Sequence, residues 1–143
     1  MVPAIVMGAT RWENVQDAFL KFTGQVPYDD TETEPQRQGR YAEPGLLMCA
    51  ADRYGPIQPK VWLANRDLGI GAHLDGQVIA TKEPVECKAN SDFANVEEWG
   101  EPGTAEVPLP VIFQTALQLI LVKLTFPGVM KDIVPHQHRG RHL

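Results

Sequence analysis

The apolar positions change period twice along the chain. Residues 13–23 (ENVQDAFLKFT) place Val15, Ala18, Phe19 and Phe22 at helical spacing, and Gly24 stops the run. Residues 25–38 are polar, with two prolines and a DDTETE run, and predict an exposed loop. Residues 36–54 predict a second helix with Ala42, Leu46, Cys49 and Ala50 on one face. Pro44 and Gly45 inside that pattern predict a break or distortion near Arg40–Glu43. The spacing then turns strand-like. Residues 57–64 (IQPKVWLA), 70–80 (IGAHLDGQVIA) and 84–89 (PVECKA) predict three strands, with turns at 65–67 and 81–84. Residues 90–108 predict a long polar loop. Helical spacing returns at 109–124 (LPVIFQTALQLILVKL), with Pro110 in the first turn, and the hydropathy predicts a largely buried helix. Residues 125–143 show no clear period. Hairpin strands between helices indicate an α/β (α+β) domain. The expected organisation is one domain over 1–124 and an irregular, basic, His-rich tail over 125–143.

Composition narrows the function classes. Apolar residues make up 43% and charged residues 22%, which argues against disorder along the whole chain. The net charge of −5 offers no overall basic field for nucleic acid or anionic membrane, although a local groove is compatible with it. Two cysteines, Cys49 and Cys87, are too few for a disulfide framework and fit a reducing compartment. The longest apolar run, Val111–Leu124, is too short and too polar to span a bilayer. The first twelve residues carry no basic signal-peptide region. The expected location is the cytoplasm, that of the host cell if the gene is phage-borne, with no membrane partner.

The candidate chemistry sits on the predicted strands. Asp75 lies at a D-G turn signal on the second strand. Glu86 and Lys88 are two residues apart on the third, so they share a face. If the strands pair as a hairpin, Asp75 can approach Glu86. Two carboxylates held close favour a cation between them, and oxygen donors suit Mg²⁺ or Mn²⁺. A lysine beside such a metal can orient an attacking water. The bland reading of the same residues is an Asp in a turn and a solvated Glu/Lys pair, and spacing alone leaves both readings open. On the last helix Gln114 and Gln118 are spaced i, i+4 and share one face. The tail residues His136, His138 and His142 contain an H-x-H pattern, read either as zinc ligands or as a flexible basic tail.

Six stretches in order resemble the YqaJ-type viral recombinase family, the lambda exonuclease-like branch of the PD-(D/E)XK nucleases. They are AIVMGATRW (4–12), KFTG (21–24), QGRYAEP (38–44), GAHLDG (71–76), VECK (85–88) and WGEPGTAEVP (99–108). Gln114 and Gln118 fall where that family has glutamines on its post-sheet helix, which makes Gln114 the stronger candidate and Gln118 the weaker. The resemblance covers about residues 4–124 and implies a central mixed sheet flanked by helices. It implies Asp75, Glu86 and Glu43 as metal ligands for Mg²⁺, with Mn²⁺ as the alternative. It gives Glu43, Asp75, Glu86, Lys88 and Gln114 as catalytic residues, Lys88 positioning or activating the water. The implied function is a 5′-to-3′ exonuclease on double-stranded DNA ends, working as a trimer with a single-strand annealing partner. An endonuclease on the same core is a second reading. His73 and Leu74 stand where the family has a small residue and Pro, Ala116 where it has a second Gln. Its final apolar strand has no counterpart in 125–143, so the last core strand is expected to be missing. A shortened, inactive family member that binds DNA or metal weakly is the alternative function.

Overall fold

The computed structural model describes residues 5–8, 13–89, 99–100 and 106–128. In chain order the elements are α1 (Val15–Phe22), α2 (Glu34–Tyr54), β1 (Ile57–Asn65), β2 (Ile70–Val78), β3 (Pro84–Val85) and α3 (Leu109–Thr125). This is the α+β order that the periodicity predicts. The described strands form one antiparallel sheet in the order β1-β2-β3. The mixed sheet implied by the resemblance is therefore represented only by antiparallel pairs among the described residues. The His-rich cluster and most of the 90–108 loop lie outside the described residues.

Local chemistry explains the helix starts. Asn14 caps α1, its side-chain oxygen accepting the Asp17 N–H at 2.9 Å. At the start of α2, the Gln36 side chain accepts the Thr33 N–H at 2.7 Å, closing a capping box. Pro44 does not break α2, which runs unbroken from Glu34 to Tyr54. Pro44 lacks an N–H, so one internal bond is absent, yet the helix is continuous over 21 residues. Cys49, expected on the inner face, is exposed, while Ala42, Leu46, Leu47 and Ala50 are half-buried.

The sheet departs from expectation where it meets the candidate residues. Asp75–Gly76 is not a turn but lies inside β2. Gly76 has a packing reason: a Cβ there would stand 2.7 Å from Ile57 Cγ2 and 2.8 Å from Leu47 Cδ2. Glycine lets α2 settle closely on β2 there, since a larger residue would displace both side chains. Strand β3 stops at Val85 rather than 89, because the Asp75 carboxylate takes the Cys87 N–H at 2.7 Å. A side chain there replaces the strand-to-strand carbonyl, and the chain leaves the ladder.

The core is small. Leu63, Leu74, Leu121 and Val122 are buried together, with Val61, Ile70, Ala72, Leu117 and Phe126 packed around them. Each fully buried aliphatic side chain contributes roughly 1.5–3 kcal/mol. Helix α3 is buried along one face only. Leu109, Ile112, Ile120 and Leu124 are exposed, so the expectation of a largely buried helix is corrected. High mean hydropathy does not reveal how many faces are covered. No helix among the described residues is long and apolar enough to cross a membrane.

Candidate active site

The place where β3 leaves β2 brings four of the five expected residues together. Asp75 stands beside the departing chain, its Oδ2 fixed by the Cys87 N–H. Glu86 and Lys88 follow on that chain. Lys88 Nζ donates to Glu86 Oε1 at 2.5 Å and to Gln114 Oε1 at 3.2 Å. Gln114 Nε2 donates to the same Glu86 oxygen at 2.7 Å. The shared face of Glu86 and Lys88, expected from their spacing, is realised although the strand has ended.

Gln118, the weaker sequence candidate, is the residue that closes the arrangement. It is fully buried, and its Nε2 donates to Glu86 Oε2 at 2.6 Å and to the His73 carbonyl at 3.2 Å. The two glutamines, one turn apart on α3, thus grip both oxygens of Glu86. Its Oε1 is buried without a partner among the described residues. The signal was present in the sequence as a second glutamine one turn after Gln114 in an otherwise apolar run.

Glu43 is placed by packing. Leu47 seats α2 on Gly76, and Glu43 is one turn earlier on the same helix face. From there its charge bears on Asp75. Among the described residues no group of three or more His, Cys, Asp or Glu converges as a ready metal cluster.

The electrostatics are those of surplus negative charge. Burial and then the Glu86 charge push the Asp75 carboxyl up to about 6, and Glu43 adds to the rise. The Cys87 N–H and Lys88 pull the other way. Burial and the neighbouring carboxylates push the Cys87 thiol up to about 12, so it stays protonated and is no nucleophile at neutral pH. Among the described residues Lys88 is the cation bonded to Glu86, and the charges of Asp75 and Glu43 lie close by. Asp75 Oδ1 has no hydrogen-bond donor among the described residues, and Glu86 Oε2 keeps an acceptor site beyond its one donor. A hard divalent cation suits this donor set and charge balance.

No family model and no solved structure matches the chain. A curated relative does. The chain is similar to YqaJ of Bacillus subtilis (strain 168). The identity is 27% over 114 residues, 78% of this chain and 34% of that protein. The chain thus spans about a third of the length of YqaJ. YqaJ is itself named an uncharacterized protein, so the similarity supports a relationship and carries no activity with it. It is compatible with the family resemblance of the motifs around Glu43, Asp75 and Glu86.

Proposed function

We propose that this chain forms the core of a Mg²⁺-dependent deoxyribonuclease, a 5′-to-3′ exonuclease acting on double-stranded DNA ends in phage-type recombination. The observation that carries the reading is the Asp75–Glu86–Lys88 arrangement at the strand divergence, with Glu86 gripped by two glutamines. The motif resemblance and the distant similarity to YqaJ support it.

In this reading Asp75 and Glu86 hold the cation through carboxylate oxygens, and Glu43 adds negative charge or a water-mediated contact. A bound Mg²⁺ would acidify a water and offset charge on the phosphoryl oxygens. The chain's own residues do the remaining work. The Cys87 N–H fixes the Asp75 carboxylate. Gln114 and Gln118 fix Glu86, so neither ligand must reorganise during reaction. Lys88, held between Glu86 and Gln114, directs its ammonium toward the attacking water or the phosphate. The trimeric assembly and the annealing partner rest on the resemblance alone.

A second reading is favoured by the grip on Glu86. A carboxylate taking three protein donors can serve the fold alone, in a chain that binds DNA or metal weakly without turnover. One assay separates the two. In Mg²⁺, linear duplex DNA is expected to be degraded while covalently closed circles survive. Survival of both substrates with a folded chain would favour the binding reading, and loss of both would indicate an endonuclease.

A further inference from the structure

The outer sheet face carries an aromatic pair that the proposed chemistry does not use. Trp62 and His73 face each other across β1 and β2, with ring centroids 4.4 Å apart at 44°. Strand alternation turns both away from Leu63 and Leu74 in the core. Gly71 is the diagonal neighbour. A Cβ there would stand 2.6 Å from Trp62 Cη2 and 2.7 Å from Cζ2, so the indole lies over bare backbone. The ring is therefore held by Gly71 and His73, yet Trp62 remains 56% exposed. What sets Trp62 apart from the other exposed apolar side chains is this fixed seat, which leaves one ring face open to a partner.

The neighbours of this pair indicate what it contacts. His73 precedes Asp75 by two residues on the same strand, about 6–7 Å along β2, a distance one nucleotide can span. Lys60 is exposed and sits opposite Asp75 in the register, between the pairs Pro59↔Gly76 and Val61↔Leu74. Its φ of 53° takes it out of the ladder, a strained setting for a lysine. An aromatic face beside a cation complements a base attached to a charged phosphate.

We propose that Trp62, seated on Gly71 and steadied by His73, is a stacking platform for an unpaired base of the DNA strand whose phosphate lies at Asp75 and Glu86. Lys60, beside Asp75 in the register, meets the phosphate backbone. The proposal rests on the nuclease reading and names the part of the substrate that the sheet face takes.

The test is binding of fluorescein-labelled duplex with a short single-stranded end, with Ca²⁺ in place of Mg²⁺. Trp62→Ala is expected to weaken binding about 5- to 100-fold, and Trp62→Phe by less, since a ring remains. DNA abasic at the end nucleotides should bind wild type as weakly as intact DNA binds Trp62→Ala, with no further loss when both changes combine. Equal affinity of wild type and Trp62→Ala would overturn the platform and leave the nuclease reading standing. No DNA binding by the wild-type chain would overturn both. A Trp62→Ala change that dissolves a self-association and leaves DNA affinity unchanged would make the patch a protein interface and also overturn the proposal.

Discussion

Lys88→Ala is expected to lower Mg²⁺-dependent cleavage of linear duplex DNA by about 10²–10⁴-fold, the range for loss of a positioned proton-transfer group. Among the described residues Lys88 is the cation bonded within the site, 2.5 Å from Glu86 and 3.2 Å from Gln114. Its side chain is 34% exposed but that of Glu86 only 9%, so the pair is half-buried and losing Lys88 is expected to cost the fold about 1–3 kcal/mol. Glu86 keeps Gln114 and Gln118 in the variant. Thermal unfolding should therefore shift only moderately while activity collapses. Lys88→Arg should not restore the rate, because a planar guanidinium cannot stand in for a compact ammonium at this position. A loss below tenfold in the folded variant would remove Lys88 from the chemistry.

Asp75→Asn is expected to abolish cleavage comparably and, without metal, to stabilise the chain at neutral pH. The sign follows from the two protonation states. The Asp75 carboxyl has an ordinary value of 3.8 and is raised to about 6 in the fold. The folded chain therefore holds this proton to higher pH than the unfolded chain. The contribution to stability is full below about 4 and is lost as pH rises through 6. At pH 7 the ionised Asp75 burdens the metal-free fold by something on the order of 1 kcal/mol, discounted because the group is partly solvated. Asn carries no such burden. The unfolding midpoint of the variant should exceed that of wild type at pH 7, and the gap should shrink toward pH 4.5. Added Mg²⁺ should raise the midpoint of wild type only. A gap that stays constant across this range would show that Asp75 does not carry the surplus charge assigned to it.

The element order was legible because period alone separates the helices from the strands, and Gly24 and Pro110 mark two of the ends. What sequence missed depends on contacts across the fold. Asp75–Gly76 has the dipeptide of a turn, but Gly76 is a glycine because Leu47 and Ile57 crowd it from outside the strand. Pro44 carries a local signal to break the helix, and the helix continues through it. The end of β3 is set by a side chain twelve residues earlier, Asp75, which no local pattern near Glu86 encodes. Gln118 read as the lesser glutamine because its partners, Glu86 and the His73 carbonyl, are distant in sequence. The candidate set of Asp75, Glu86, Lys88 and Gln114 came from spacing and motif resemblance, and the structure brings these four side chains into one neighbourhood.

The most direct measurement is a calorimetric titration of the metal-free chain with Mg²⁺ and Mn²⁺ at pH 7, beside Asp75→Asn and Glu86→Gln. Saturable binding by wild type, lost in both variants while they remain folded, is the predicted result. Absence of binding by folded wild-type protein, or binding that both variants retain, would contradict a metal site built on Asp75 and Glu86.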